Sequence, residues 1–224
     1  MHLPLVEPVT VAIAGSDARF PVRRIFCVGQ NYADHAREMG ADPTRQAPFF
    51  FSKPADAVVA SGAMLDFPSQ TDDLHHEVEL VLALGAGGTN IALADAAGLV
   101  FGHAVGIDLT RRDLQAAAKK AGRPWDMAKG FDQSAPLGPI TPGPAPTHGA
   151  IALSVNGETR QAGDLDQMIW NVAEIIATLS GFVALAGGDL IFTGTPAGVG
   201  PIRPGDRLRA TLAGVTPLEI GFRG

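Results

Sequence analysis

The sequence predicts an α+β protein that is mostly β, with a few helices. Three observations point to this class. Short apolar runs rich in β-branched and aromatic residues recur along the chain, with glycine and proline between them. The dipeptide Asn156-Gly157 stands between two such runs and is the strongest short signal of a β-hairpin. Only a few segments carry apolar residues at helical spacing.

The N-terminal part of the chain is predicted to form short strands and one short helix. A turn at residues 15–17 joins the first two strands. The helix covers residues 31–40, ends at Gly40 and leads into a polar loop that contains Pro43. The predicted strands are residues 9–14, residues 24–28, residues 49–52 and, as a candidate, residues 57–60.

The middle of the chain is predicted to contain two long strands and a helix. The apolar runs at residues 74–84 and 99–107 are typical of buried strands. Thr110 and Asp113 then have the Ser/Thr-x-x-acid spacing of a helix N-terminus. We expect the helix that follows to end at Gly122.

The C-terminal part opens with residues 140–149, whose prolines and glycines make this segment the best linker candidate, crossing the surface of one domain. The predicted hairpin has strands at residues 151–155 and 158–161, and a last strand covers residues 218–222. An amphipathic helix lies between them. Its apolar stripe consists of Met168, Val172, Ile175, Ile176 and Leu179.

Composition limits the class of protein. A chain of 224 residues, 46% apolar and 18% charged, is long enough for one domain with a sizeable core. The net charge of −6 gives no electrostatic support for a nucleic-acid partner. A single cysteine, Cys27, excludes an intramolecular disulfide framework. Because residues 1–8 lack the pattern of a signal peptide and no window approaches 18 apolar residues, we expect a cytoplasmic protein.

Three carboxylates stand at the ends of the long predicted strands. Side chains alternate along a strand, so Glu77 and Glu79 lie on one face, roughly 6.7 Å apart along the chain. Like charges at the edge of an apolar sheet are costly unless something pairs with them, and a hard divalent cation can do so. Asp108 follows the second strand. A solvent-facing strand end explains the two glutamates equally well, and a surface turn explains the aspartate.

His35 and Glu38 are three residues apart in the predicted N-terminal helix, so their side chains can meet on one face. A histidine is the natural general base near neutral pH, and a carboxylate can fix its tautomer. Taken alone, the pair is more simply a solvated helix face. Lys129, taken alone, is ordinarily a surface residue.

Six segments, in order between residues 24 and 200, resemble the fumarylacetoacetate hydrolase family. They are residues 27–35 (CVGQNYADH), 51–54 (FSKP), 75–80 (HHEVEL), 108–115 (DLTRRDLQ), 124–131 (PWDMAKGF) and 188–200 (GDLIFTGTPAGVG). The resemblance implies a mixed β-sheet roll with a few helices. It also implies one catalytic domain over residues 1–224, with a lid at residues 30–45.

The resemblance assigns roles to particular residues. It implies that Glu77, Glu79 and Asp108 bind Mg²⁺, with Mn²⁺ as a close substitute, because three carboxylates leave coordination sites free for water and substrate. His35 and Glu38 match the lid residues that activate water.

Other matched residues are expected to face the substrate. Lys129 would stabilise negative charge that develops during carbon–carbon cleavage. Many relatives have arginine where Gln30 stands, so this chain lacks one possible anion contact. Arg112 matches a residue that binds substrate oxygens, and the adjacent Arg111 is equally able to bind them. The residues assigned to substrate binding are Arg112, Gln115, Thr195 and, as a weaker candidate, Lys53.

The activity implied is that of a metal-dependent hydrolase of an acylpyruvate, with 3-fumarylpyruvate as the expected substrate. Lys53, Arg111 and Arg112 are the cations available for its remote carboxylate. A small diketo acid is thus the expected partner, and a homodimer the expected assembly. An oxaloacetate decarboxylase or tautomerase using the same metal is one alternative. A non-catalytic β module holding structural Ca²⁺ is a more distant one, and His35 and Lys129 argue against it because a structural cation needs neither.

Overall fold

The structure is a computed structural model that describes residues 3, 5, 7–38 and 47–224. The strands of this part of the chain are β1 (Thr10–Ala12), β2 (Arg19–Pro21), β3 (Arg24–Gly29), β4 (Phe49–Lys53), β5 (Val58–Ala60), β6 (Met64–Leu65), β7 (Leu74–His76), β8 (Val78–Leu84), β9 (Val100–Ile107), β10 (Thr110–Arg111), β11 (Ala135–Leu137), β12 (Thr141–Pro142), β13 (Ala150–Val155), β14 (Glu158–Asp164), β15 (Asp189–Phe192), β16 (Gly200–Pro201), β17 (Arg207–Leu212) and β18 (Leu218–Phe222).

The helices are short and few. The α-helices are α1 (Ala33–Glu38), α2 (Leu93–Ala96), α3 (Arg112–Ala121), α4 (Asp126–Lys129) and α5 (Val172–Phe182), and single 3₁₀ turns cover Ala55–Ala57, Ala97–Leu99 and Leu165–Gln167. Within the described residues, no helix has both the length and the apolar character needed to cross a bilayer.

The strands form a curled mixed sheet system. An eight-stranded sheet has the order β4-β3-β15-β8-β9-β11-β5, with β12 pairing with β9, and a five-stranded sheet has the order β14-β13-β17-β18-β6. Smaller sheets join β10-β7-β16 and β1-β2. The pairs β15–β3, β11–β5 and β18–β6 are parallel, whereas the other pairs are antiparallel. The predicted class, mostly β with a few helices in a mixed roll, is confirmed.

The eight-stranded sheet is buried on both faces, and every residue of β8 is buried. Leu80 and Leu82 belong to one hydrophobic cluster, whereas Val81 and Ala83 belong to a second cluster on the opposite face. This double burial explains why the sequence of β8 is a continuous apolar run rather than an alternating one. The centre of the sheet is therefore a rigid support for the residues at the ends of its strands.

Most predicted elements are confirmed with small changes of boundary. Asn156 (φ 52°) and Gly157 (φ 85°) both adopt the left-handed conformation that a two-residue hairpin turn requires. Short elements such as β2, β6 and α2, each of two to four residues, were not predicted from the sequence. Met168 lies before α5, which begins at Val172 after the cap Asn171, so this methionine is not part of the helical stripe.

The N-terminus of α3 differs from the prediction, whereas its C-terminus agrees with it. Thr110 does not cap α3, which has no side-chain cap; its hydroxyl instead accepts a hydrogen bond from Lys129. Gly122, with φ 62°, ends α3 as predicted. Gly40 and Pro43, and with them residues 39–45 of the predicted lid, lie outside the described residues.

Candidate active site

Three carboxylates converge where β8 and β9 meet. Glu79 lies in β8, Glu77 lies just before it, and Asp108 follows β9. The antiparallel pairing of Val78 with Ile107 brings these strand ends together, and the amide of Asp108 donates to the carbonyl of Glu77 at 2.8 Å. One oxygen atom from each of the three carboxylates lies within 4.8 Å of the others, and all three residues are buried.

Cationic side chains surround two of the three carboxylates. Lys129 Nζ lies 2.9 Å from Glu77 Oε2, 2.6 Å from Asp108 Oδ2 and 2.6 Å from Thr110 Oγ1. Arg112 Nη2 donates to Glu77 Oε1 at 2.5 Å. Lys53 Nζ lies 2.8 Å from Asp108 Oδ1, which is ion-pair distance, but the direction of approach does not make a hydrogen bond. Glu77 and Asp108 are thus compensated.

Glu79 is not compensated in the same way. It accepts a hydrogen bond from the amide of Gly194 at 2.7 Å. Burial raises the pKa of Glu79 well above its ordinary value, and the neighbouring charges of Asp108 and Glu77 raise it further. In Glu77, burial acts in the same direction, but Lys129 and Arg112 outweigh it and hold the pKa below the usual range. The cluster is therefore short of positive charge on the side of Glu79.

This shortage fits a divalent cation. The three converging groups are carboxylates, which Mg²⁺ and Mn²⁺ prefer. A cation held between Glu79 and Asp108 would supply the charge that Glu79 lacks. Asp108 Oδ1 lies at ion-pair distance from Lys53 Nζ but accepts no hydrogen bond from the described residues, so its lone pairs remain open to such a cation.

On α1, His35 faces a pocket that Glu77 and Glu79 also line, and Glu38 lies beside His35. His35 Nδ1 lies 3.3 Å from Glu38 Oε2, and His35 is buried. Burial lowers the pKa of the His35 imidazole, and this effect exceeds the opposing effects of Glu77 and Glu38. The lowered pKa favours the neutral ring, which is able to accept a proton. Glu38 also accepts the amide of Gly198 at 3.2 Å, which fixes α1 to the loop after β15.

One pocket brings most of the predicted site residues together. It opens in front of the carboxylates and is walled on one side by Phe49, Phe51 and Trp125. The predicted residues that line it are His35, Glu77, Glu79, Arg112, Gln115, Lys129 and Thr195. Residues from separate parts of the chain therefore share one reaction space.

The sequence matches a family model over nearly this whole structure. Residues 24–223 match the model of the fumarylacetoacetate hydrolase C-terminal family. The chain belongs to the fumarylacetoacetate hydrolase family.

Individual members of the family are closely similar to this chain. A fumarylpyruvate hydrolase from a Ralstonia species is 42% identical over 80% of this chain and 94% of its own length. The oxaloacetate tautomerase of Escherichia coli is 41% identical over 87% of this chain and 90% of its own. The crystal structure of Pseudomonas aeruginosa fumarylpyruvate hydrolase, in complex with Mn²⁺ and pyruvate, superposes with a TM-score of 0.95 at 52% identity, covering 100% of this chain and 99% of that one.

The structure separates the two adjacent arginines that this family member carries after Asp108. Arg112 lines the pocket, donates to Glu77 and donates from Nη1 to Gln115 Oε1 at 2.6 Å. The guanidinium of Arg111 instead lies 4.4 Å from the ring centre of Phe131 and does not line the pocket. The geometry therefore favours Arg112 for contact with a ligand.

Lys53 and Asp108 lie behind the pocket wall rather than on it. Lys53 is buried and donates to the backbone carbonyls of Leu109, at 3.1 Å, and Lys129. These contacts tie β4 to the segments that carry Asp108 and Lys129. Its position accounts for a structural and electrostatic role, and does not place its ammonium in the pocket.

Two residues of this site, Asn31 and Lys119, were not predicted from the sequence. Asn31 is fully buried and donates to the carbonyls of Trp170 and Thr193 while it accepts the amide of Trp170, which anchors the start of α1. Lys119 lines the pocket one helical turn beyond Gln115. The helical spacing of Arg112, Gln115 and Lys119 was available in the sequence, and it could have indicated a shared face of α3.

Proposed function

We propose that this protein is a metal-dependent hydrolase that cleaves a carbon–carbon bond of an acylpyruvate, with 3-fumarylpyruvate as substrate and fumarate and pyruvate as products. The observation that carries the proposal is that His35, backed by Glu38, opens onto the same pocket as Glu77 and Glu79. Family membership and the similar fumarylpyruvate hydrolases support the class of reaction.

Glu77, Glu79 and Asp108 would hold the divalent cation, for which we propose Mg²⁺ or Mn²⁺. When bound, the cation would supply a Lewis acid for the oxygens of the keto-acid end of the substrate. Holding the cation leaves these carboxylates no role as nucleophiles.

His35 would perform the proton transfers. Its neutral imidazole takes a proton from a water molecule, whose oxygen attacks the distal acyl carbonyl, and Glu38 holds the ring in the required tautomer. The bond between the acyl carbon and the pyruvate methylene carbon breaks, and its electron pair stays with the pyruvate enolate. The proton on His35 then goes to that carbon and completes the methyl group of pyruvate, and the second proton of the water is released when the new carboxylic acid ionises to fumarate.

Lys129 would stabilise the negative charge that develops on the enolate. Burial alone would lower the pKa of Lys129, but Asp108 and Glu77 raise it more, so its ammonium stays charged. Its three N–H groups already bind Glu77, Asp108 and Thr110. We therefore propose that it acts as a fixed positive charge at the floor of the pocket rather than through a hydrogen bond of its own.

Arg112, Gln115 and Thr195 would bind the oxygens of the substrate. Gln115 Oε1 accepts from Arg112, which leaves its Nε2 group to face the pocket. Arg112 keeps charge beside Glu77 and reaches the same space. These donors suit a ligand that is anionic near the metal site.

Oxaloacetate tautomerisation, or decarboxylation, is the second candidate. The observation in its favour is the 41% identity to the Escherichia coli oxaloacetate tautomerase over 87% of this chain. Tautomerisation needs a bound keto acid and a group that moves a proton between carbon and oxygen, and His35 in the same pocket could provide it. This reaction requires no attacking water.

We further propose that residues 1–224 act as one catalytic domain and that the protein is a homodimer. Support for the single domain comes from the family match over residues 24–223. The dimer rests on the family resemblance. Sedimentation of the purified protein at micromolar concentration would reveal a monomer if the proposed assembly were wrong.

A turnover panel tests the proposed function. Fumarylpyruvate, acetopyruvate and oxaloacetate are each supplied to the parent enzyme and to His35→Ala, with Mg²⁺ or Mn²⁺. We expect the parent to prefer fumarylpyruvate, and the variant to keep its metal but to lose roughly 10²–10⁴ in hydrolysis. Oxaloacetate as the better substrate of the parent would replace the hydrolase with the second candidate.

A further inference from the structure

Gln161, on β14, reaches under the active site and bonds to four groups. Its Oε1 accepts from the amide of Val78 at 3.1 Å and contacts His76 Nδ1 at 2.9 Å. Its Nε2 donates to Thr195 Oγ1 at 2.8 Å and to the carbonyl of Pro196 at 2.9 Å. Gln161 is almost completely buried, so all four contacts form away from water.

Two of these four partners fix which way round the amide of Gln161 lies. The backbone N–H of Val78 can only donate, and the carbonyl of Pro196 can only accept. If the amide were turned over, its NH₂ group would face the N–H of Val78 and its oxygen would face the carbonyl of Pro196. Neither pair can form a hydrogen bond. The oxygen of Gln161 must therefore face Val78, and its NH₂ group must face Thr195.

This orientation also sets the polarity of the Thr195 hydroxyl. Because its oxygen accepts a hydrogen bond from Gln161, the hydroxyl proton must point elsewhere. In the described part of the chain, no acceptor takes that proton. Thr195 and Glu79 both line the pocket, so the hydroxyl proton of Thr195 is available for a hydrogen bond to a ligand in the pocket.

We propose that Gln161 is a positioning residue that makes Thr195 a hydrogen-bond donor to the carboxylate of the bound keto acid. The inference rests on the proposed function, since it requires an anionic keto acid in this pocket. Gln161 itself does not line the pocket. Its hydrogen bond to Pro196, together with that of Gly194 to Glu79, also fixes the turn that carries Thr195.

The test measures binding of oxalate, a stable dianion that resembles the keto-acid end, to the Mg²⁺-loaded protein by calorimetry. Thr195→Val removes the hydroxyl at nearly constant volume and should weaken binding about tenfold or more. Thr195→Ser keeps the hydroxyl and should bind like the parent. Thr159→Val, an exposed threonine on the same strand as Gln161, is the matched control and should also bind like the parent.

Variants of Gln161 test the positioning step. Gln161→Met cannot donate to Thr195, and Gln161→Glu presents an oxygen that the Thr195 hydroxyl must turn toward. Each should weaken oxalate binding in the parent background. Gln161→Met should weaken it much less in the Thr195→Val background, because the group that Gln161 orients is then absent. Metal content and the unfolding temperature are measured for each variant, so that binding is compared between folded, loaded proteins.

The outcomes are distinguishable. Additive losses for Gln161→Met and Thr195→Val, or full binding by Thr195→Val, would overturn the positioning role while leaving the proposed function intact. Parent-like oxalate binding by Gln161→Glu would also overturn the positioning role. If Gln161→Met fails to fold, the result for Gln161→Glu decides the test. Failure of the loaded parent to bind oxalate would instead overturn the proposed function, and this inference with it.

Discussion

The ring of Phe49 lies directly over the α-carbon of Gly29. The two residues are paired across β3 and β4, and a β-carbon at position 29 would lie 2.0 Å from the ring. Phe49 packs edge-on against Trp125, with ring centres 5.3 Å apart, and both rings line the pocket. The missing side chain at Gly29 thus determines where the aromatic wall of the active site stands.

Gly29→Ala should displace this wall. The contact is with the end of an exposed side chain, so the ring can turn aside at small cost in stability, and its displacement should raise the KM for substrate several-fold with less effect on kcat. Steady-state kinetics and thermal unfolding measure both effects. Gly98→Ala, at a position with open space around it, is the control. Phe49→Leu removes the ring that the new methyl group meets, so Gly29→Ala should change the KM much less in the Phe49→Leu background; an unchanged KM in Gly29→Ala alone would contradict the steric argument.

Glu79→Gln should abolish metal binding and nearly all turnover while the protein stays folded. The amide can still accept from Gly194, but a neutral oxygen is a poor ligand for a hard cation. Elemental analysis gives the metal content. In the metal-free state, the free energy of unfolding of this variant should be at least that of the parent. The substitution replaces a buried carboxyl group, which Asp108 and Glu77 repel when it is charged, with a neutral amide. Glu158→Gln, an exposed glutamate, should keep both metal and activity.

The pH dependence of kcat/KM should show an acid limb below pH 6.5, the ordinary pKa of histidine, because burial lowers the pKa of His35. Activity needs the neutral ring, so it falls as pH decreases through that pKa. Glu38 raises the pKa of His35, so Glu38→Gln should move the limb to still lower pH while it lowers the plateau. Asp34→Asn, exposed on the same helix, should leave the limb in place. A limb that moves to higher pH in Glu38→Gln would contradict the assignment of the base.

Lys119→Met should lower kcat/KM for fumarylpyruvate about tenfold and leave acetopyruvate unchanged, since one charge-assisted hydrogen bond to the remote carboxylate is lost. Among the described residues, Lys119 is a cation that lines the pocket without an ion-pair partner. Lys53 and Arg112 are bound to other groups, and Arg111 lies against Phe131. Lys120→Met and Arg111→Met are the matched controls. An equal decrease in kcat/KM for fumarylpyruvate and acetopyruvate would show that Lys119 does not bind the remote carboxylate.

The sequence predicted the parts of this site that depend on local spacing. Strand alternation placed Glu77 and Glu79 on one face, and the structure brings both into the pocket although Glu77 lies in the break between β7 and β8. The choice between Arg111 and Arg112 depended on the residue at which α3 begins. Successive residues of a helix lie about 100° apart around its axis. Because Thr110 was wrongly predicted to cap α3, the sequence did not determine which arginine lies on the face toward the pocket.

Gln161 shows what the sequence could not predict. It reaches His76 across 85 positions of sequence, and only the packing of two separate sheets brings the two residues together. As one polar residue in a predicted hairpin strand, it had no local pattern that distinguished it from an exposed glutamine. The wall formed by Gly29, Phe49 and Trp125 is equally non-local, because it depends on the register between β3 and β4.

The pair proposed to transfer protons and the carboxylates proposed to hold the metal lie in different parts of the chain. His35 and Glu38 lie on a helix of six residues that is attached to its surroundings through Asn31 and Gly198, whereas Glu79 is built into a fully buried strand. Substitutions in that helix can therefore alter proton transfer without rebuilding the strands that hold the cation. A change confined to this short helix therefore alters how water and protons are handled, while the three carboxylates keep their positions.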